Sequence, residues 1–249
     1  MNQANKQAAK VALVTGASRR IGAAIVKQLH QAKFRVVIHC HHSQQEAEQL
    51  AQHLNQLCAN SAYVLSEDLS TPGVAKKLVA DSFAWAGRLD LLVNNASIFQ
   101  RSDLTNFNEL NWDILFKVNV RAPFLLSLAA RPYLAAAQGA IINLTDIHAD
   151  KPLKNYAEYC QTKAALNMQT KTLAREFAPQ VRVNAVAPGA IAWPEQDNSL
   201  SVEIQQQIIA NTPLKRHGEP VFIAQAVLAL AENPFITGQI LKVDGGRSL

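Results

Sequence analysis

A doubly wound α/β fold, one parallel sheet of about seven strands with helices on both faces, is what this 249-residue chain predicts. Three features carry the prediction. Short apolar runs alternate with longer stretches of helical pattern. The runs are rich in Val, Ile and Leu without polar alternation, as strands covered on both faces must be. The first run leads straight into Thr15-Gly16-Ala17-Ser18-Arg19-Arg20-Ile21-Gly22, a glycine-bearing turn that opens a helix.

Strands are expected at 11–15, 35–39, 62–65, 89–94, 140–145, 182–187 and 240–243, and helices near 20–32, 44–57, 72–86, 107–136, 155–177, 202–210 and 219–232. Their alternation asks for right-handed crossovers and a parallel sheet. The first strand, Val11-Ala12-Leu13-Val14, feeds the glycine turn. The second ends in Val37-Ile38-His39-Cys40-His41-His42-Ser43, and the third is followed by Asp68-Leu69. The fourth runs into Asn94-Asn95-Ala96-Ser97, the fifth precedes Asp146, and the sixth meets Pro188-Gly189. Ligands of open α/β sheets bind at such C-terminal strand ends. Residues 190–211, with Trp193 and Pro194, are expected to form a lid over the substrate. The stretch 112–137 and the helix after Tyr159 are apolar around most of their circumference, which implies burial on more than one side and suggests a subunit interface.

The chain reads as a single domain, 1–249, because nothing in it marks a boundary. Hydrophobic residues at 49% and charged residues at 17% suit a soluble domain with an ample core. No apolar run reaches the roughly eighteen residues of a membrane span. The start Met1-Asn2-Gln3-Ala4-Asn5-Lys6-Gln7 lacks a signal-peptide apolar core, so the cytoplasm is expected and a membrane partner is not. Cys40, Cys58 and Cys160 form no C-x-x-C pair. Cys160 adjoins Tyr159, but helix neighbours point about 100° apart. The net charge of +5 comes from scattered Lys and Arg with no basic stripe, which argues against nucleic acid and fits an anionic small molecule.

The turn at Gly16 lets backbone N–H groups approach a pyrophosphate while the helix N-terminus supplies positive charge. The position that often carries a middle glycine holds Arg20. A cation in a first helical turn is at the wrong end of the dipole unless an anion fills the gap. An Asp or Glu after the second strand would bind a ribose diol and repel a 2′-phosphate. Here His41, His42 and Ser43 offer donors instead, so NADPH is the expected cofactor. The bunched histidines lack a carboxylate partner, and no metal is expected. Asp68 and Leu69 lie where an adenine edge would sit, though Asp68 equally suits a helix cap.

Tyr159 and Lys163 are spaced as Tyr-x-x-x-Lys and share a helix face. A nearby ammonium lowers a phenol's pKa and makes it usable in acid–base chemistry. Asp146, thirteen residues earlier, raises that pKa, opposes Lys163 and keeps the phenol a proton donor.

Taken together, Gly16, Asn94-Asn95-Ala96, Asn119, Tyr159 with Lys163, Pro188-Gly189 and Val243-Asp244-Gly245-Gly246 resemble the motifs of the short-chain dehydrogenase/reductase superfamily, whose domain is Rossmann-type. That family's catalytic set is an Asn, a Ser, the Tyr and the Lys, and Asp146 stands in the neighbourhood of the Ser. Within the superfamily the chain most resembles the pteridine reductases, through Arg20, His41-His42-Ser43, Asn95-Ala96-Ser97-Ile98-Phe99 and Asp146. The resemblance implies NADPH-dependent reduction of a dihydropterin or dihydrofolate ring.

The resemblance also implies roles. Asp146, Tyr159, Lys163 and Asn119 form the catalytic group, with Lys163 orienting the nicotinamide ribose and Asn119 holding a water or carbonyl that orders Lys163. Gly16, Ser18, Arg19, Arg20, Ile21, His41, His42, Ser43, Asp68, Leu69, Asn95, Ala96, Ser97, Tyr159, Lys163, Pro188 and Gly189 hold the cofactor. Arg20, Ser97, Phe99, Asp146, Tyr159 and Trp193 meet the substrate, Phe99 stacking on the pterin ring opposite the nicotinamide. A homotetramer is usual in the family. One departure is His42, where parasite-type pteridine reductases tend to carry Arg, which puts the strength of its grip on a 2′-phosphate in question. His148 could face the site or solvent. Two other readings remain: a ketone or 3-oxoacyl-thioester reductase, and a non-catalytic NADP(H)-binding regulator. A carboxylate near a developing alkoxide argues against the first, and intact Tyr159 and Lys163 against the second.

Overall fold

The computed structural model describes residues 9–193 and 199–249. Its strands are β1 (Val11–Val14), β2 (Arg35–Cys40), β3 (Ala62–Ser66), β4 (Leu91–Asn94), β5 (Ala140–Leu144), β6 (Arg182–Pro188) and β7 (Ile240–Val243). All pair in parallel, in the order β3-β2-β1-β4-β5-β6-β7. The helices are α1 (Arg20–Gln31), α2 (Gln44–Leu57), α3 (Val74–Ala86), α4 (Glu109–Phe116), α5 (Ala122–Ala137), α6 (Ala157–Phe177), α7 (Val202–Ala210) and α8 (Pro220–Glu232).

Strand side chains alternate between faces, and both faces are covered. Ala12, Val14, Val36 and Ile38 point into a layer with Ile25, Leu29, Leu50, Ile223 and Val227 of α1, α2 and α8. Val11, Leu13, Leu92 and Ile141 point the other way, onto Leu78, Leu126, Leu134, Leu173 and Phe177 of α3, α5 and α6. Each fully buried large aliphatic side chain is worth roughly 1.5–3 kcal/mol. Two-sided burial is why the strands read as unbroken apolar runs. The strand order reverses between β1 and β4, so the crossovers diverge there and open a crevice at the C-terminal strand ends.

The expected helix at 107–136 is three pieces: α4, a π-helical turn at Lys117–Arg121, and α5. Pro123 follows this turn and has no N–H to give the carbonyl four residues back, so a regular ladder cannot pass through it. Gln169, reaching across from α6, fills the gap. Its amide donates to Val120 O at 3.2 Å and accepts from Phe124 N at 3.0 Å. Smaller differences lie at element ends. α3 starts at Val74, after a left-handed Gly73 with φ 84°. β4 starts at Leu91; just before it, the Asp90 carboxylate accepts from the N–H of Val11 at 2.8 Å and from Arg88.

Candidate active site

The β1–α1 turn is built by close packing. Gly16 has φ 58°, and a Cβ there would lie 2.8 Å from Ala96 Cα; a Cβ at Gly22 would overlap the Gly16 carbonyl. Thr15 Oγ1 accepts the N–H groups of Asn95 and Ala96, both at 3.0 Å. The Asn95 amide donates to the carbonyls of Thr15 at 2.9 Å and Gly16 at 2.8 Å. Asn95, expected to touch cofactor, therefore commits its side chain to holding the turn.

Beneath the turn lies His39, a residue the sequence reading grouped with its neighbours and gave no role. It is 1% exposed. Gly16 N–H donates to its Nδ1 at 3.2 Å, which leaves Nε2 as the protonated nitrogen, bonded to Glu67 O at 3.0 Å. Burial is the main force lowering its pKa to about 4, opposed by the Glu67 bond. A neutral imidazole thus ties β1, β2 and the end of β3 together.

Around this frame stand the other expected cofactor residues. Ser18 and Arg19 line a cleft of about 330 Å³ between α1 and α2. Ser43 is the N-cap of α2, yet its hydroxyl makes no capping bond. His41 and His42 are exposed, their ring centroids 3.5 Å apart. Asp68 accepts from Ser70 N and Ser70 Oγ, each at 2.8 Å, so its side chain serves a turn before α3. The hydrogen bond from the Ser70 backbone is the main reason its carboxyl titrates below the ordinary value. Pro188 ends β6. Gly189 has no room for a Cβ, which would fall 2.6 Å from Asp244 Cβ.

Arg20 was expected to meet cofactor phosphate and the pterin. Its φ of 52° explains why a glycine suits the position, and its guanidinium donates to the carbonyls of Ala192 at 3.0 Å and Trp193 at 2.8 Å. Trp193 in turn stacks on His217 at 4.2 Å. Pro194 and the rest of the expected lid to residue 198 fall outside the described residues.

On the other side of the crevice, Asp146 leaves β5 in extended backbone and caps a 3₁₀ turn at Ile147–Ala149. Its Oδ1 accepts from His148 N at 2.8 Å. Oδ2 accepts from the Tyr159 hydroxyl at 2.7 Å. Burial first, then the Asp146 charge and hydrogen bond, hold the Tyr159 phenol well above its ordinary pKa. The carboxyl acts in the expected direction. Lys163 does not act in the way expected of it: its ammonium sits 5.6 Å from the Tyr159 ring centroid and donates to Leu144 O at 3.0 Å. Burial lowers Lys163 to about 8, against the pull of Asp146.

Asn119, expected to hold a water or a carbonyl, is bonded to a backbone carbonyl, that of Ile98. It sits in the π turn and clamps Ile98, accepting from its N–H at 2.8 Å and donating to its carbonyl at 2.9 Å. A further bond, at 3.1 Å, reaches Thr162 Oγ1, beside Lys163 in sequence. Asn119 thus fixes the segment after β4 that carries Ser97 and Phe99. The Phe99 ring stacks on Tyr156 at 4.4 Å and meets Tyr159 edge-on at 4.8 Å. Tyr156 was not anticipated; its place at the N-cap of α6, three residues before Tyr159, was the available signal. Leu69 packs at the rim of the core, Ile21 against it, and Ser97 is exposed. His148 turns its Nδ1 to Lys151 O at 2.8 Å. Cys160 takes the Leu153 N–H on its sulfur at 3.4 Å.

A model of the Enoyl-(Acyl carrier protein) reductase family matches residues 16–248. The chain belongs to the short-chain dehydrogenase/reductase superfamily. Among curated relatives of this reductase is a "Granaticin polyketide synthase putative ketoacyl reductase 2" of Streptomyces violaceoruber, 36% identical with 97% of each chain covered. A "3-oxoacyl-[acyl-carrier-protein] reductase FabG" of Staphylococcus epidermidis is 36% identical over 95% of this chain and 98% of its own. Among solved structures, the "FolM Alternative dihydrofolate reductase 1" of Brucella suis, in complex with NADP, is 34% identical, with a TM-score of 0.86 over 96% of this chain and 95% of that one. A blue fluorescent protein from a metagenomic library, in complex with NADPH, is 31% identical with a TM-score of 0.89, covering 97% and 99%. The reductase therefore has relatives named for ketoacyl substrates by sequence and others named for dihydrofolate by structure.

Proposed function

We propose that the chain is an NADPH-dependent reductase of a dihydropterin or dihydrofolate ring. The observation that carries the reading is the 2.7 Å bond between Tyr159 and Asp146. Reducing a ring C=N bond requires hydride on carbon and a proton on nitrogen. A phenol kept protonated is a proton donor, and a carboxylate accepts hydrogen bonds from the amino group and ring N–H of a pterin.

NADPH fits the residues present. Gly16 and Gly22 let the β1–α1 turn close more tightly than a Cβ would allow, the form of turn that presents backbone N–H groups to a pyrophosphate. His41, His42 and the uncommitted Ser43 hydroxyl stand where a carboxylate would reject a 2′-phosphate. Bound there, NADPH supplies the hydride. Lys163 orients the nicotinamide ribose, Tyr159 delivers the proton, and Asp146 holds both the phenol and the pterin edge. Phe99, stacked on Tyr156 and edge-on to Tyr159, lines the pterin slot.

The ketoacyl relatives favour a second reading, reduction of a ketone or 3-oxoacyl thioester. A carboxylate bound to the phenol opposes it, because negative charge would then grow on an alkoxide beside an existing anion. Following NADPH oxidation with dihydrobiopterin, dihydromonapterin, dihydrofolate and a 3-oxoacyl thioester in parallel separates the two. Turnover of the thioester alone overturns the pterin reading. Asp146→Ala and Tyr159→Phe should each lower pterin turnover by roughly a hundredfold, and full activity in Asp146→Ala would remove that residue from the mechanism.

The reading extends to assembly. Phe124, Leu128 and Met168 on α5 and α6 are exposed apolar side chains. Phe116, Val120 and Phe124 line a cleft of about 490 Å³ beside them. Burying these helices against other copies in a homotetramer removes that surface from water.

A further inference from the structure

The chain ends in a tight turn lodged against the site. Gly189 N–H donates to Val243 O at 3.0 Å, and Leu214 N–H to Gly245 O at 3.1 Å. Asp244 folds the turn on itself, accepting from Gly246 N at 2.9 Å and Ser248 N at 2.8 Å. Gly245 and Gly246 have φ of 65° and 85°, and Cβ atoms there would crowd Thr212 and Pro213 at 2.8 and 2.9 Å. Lys151, from the loop that follows Asp146, donates its ammonium to Arg247 O at 3.0 Å. The backbone of residue 247 is therefore held by Lys151 and by its own N–H bond to Asp244 O at 3.2 Å, and not by its side chain.

That side chain is half-buried. Among the described residues its guanidinium makes no hydrogen bond and no ion pair. Burial lowers its pKa, and the charges that act on it in return are Asp146 and then Asp244. The first of these is the carboxylate that holds the Tyr159 phenol. A guanidinium drawn partly out of water without a partner is unfavourable, and an arriving anion relieves that cost. Its planar fork of donors matches a carboxylate in two-point contact.

We propose that Arg247 binds a carboxylate on the side chain of the substrate, so that the preferred substrate is a folate-type pterin with an acidic tail and not a pterin with a neutral one. This rests on the pterin reading above. The Lys151 ammonium, bonded to Arg247 O, adds a second cation at the same turn.

Initial rates with dihydrofolate and dihydrobiopterin test the inference in the wild-type enzyme, Arg247→Gln and Arg247→Lys. In Arg247→Gln the ratio of kcat/KM for dihydrofolate to that for dihydrobiopterin should fall about tenfold, the size of one charge-assisted contact, through KM for dihydrofolate. Arg247→Lys should recover part of it. In the wild type, p-aminobenzoylglutamate should compete with dihydrofolate, and added salt should raise the dihydrofolate KM. Pterin turnover with an unmoved ratio overturns the role of Arg247 alone. Absence of turnover with either pterin overturns this inference together with the reading beneath it. If Arg247→Gln folds poorly, seen as a loss of NADPH binding by fluorescence, the ratio in Arg247→Lys and the competition by p-aminobenzoylglutamate decide.

Discussion

At residue scale, His39 shows how a buried neutral group ties stability to pH. Its pKa is lowered from 6.5 to about 4, so the fold prefers the uncharged ring and the unfolded chain binds its proton first. The contribution is fully present above pH 6.5 and is lost as pH falls toward 4, at about 3 kcal/mol in total. His41, Glu67 and Asp68 are the charges that act on it. Urea unfolding at pH 7 and pH 4.5 should show a steeper acid loss in the wild type than in His39→Asn, by about 2–3 kcal/mol. Equal losses would mean that the ring does not carry the effect. The sequence displayed this histidine openly, but its spacing to Gly16 and Glu67 exists only once β1, β2 and β3 lie side by side. Tyr159, Lys163 and Asp146 were legible because two sit on one helix face and the third ends a strand. The ammonium's true partner, Leu144 O, is a backbone atom that no side-chain pattern reports.

At the scale of elements, the strands were legible almost to the residue, since burial on both faces writes an apolar run into the sequence. The break at Lys117–Arg121 was not. Ala- and Leu-rich neighbours suggest an unbroken helix, and Pro123 alone does not say whether the chain kinks, frays or widens. The answer lies in Gln169, more than forty residues away, whose amide satisfies Val120 O and Phe124 N. Gln169→Leu leaves both of those backbone groups without a partner and should cost about 1–3 kcal/mol, measured by chemical denaturation. A neutral outcome would show that the turn holds itself.

At the scale of the molecule, the divergence of crossovers between β1 and β4 gathers the glycine turn, the Asn119 clamp and the Asp146–Tyr159 pair at one end of the sheet. Their assembly there was foreseeable from topology alone. On α5 and α6 the sequence displayed an apolar surplus, and Phe124, Leu128 and Met168 are exposed there; the homotetramer proposed above would bury them. Leu128→Glu, placing a charge on that exposed face, should dissociate the assembly at micromolar concentration in sedimentation velocity. A wild type that sediments as a monomer would refute the interface.

Arg20 links these scales. Its guanidinium holds the carbonyls of Ala192 and Trp193, and it belongs to the turn proposed to receive a phosphate. One cation cannot serve two acceptor sets at full strength. Whatever anion claims it slackens the hold on residues 192–193, and a tighter hold there weakens the anion by the same free energy. Two neighbouring compartments thereby share a single latch.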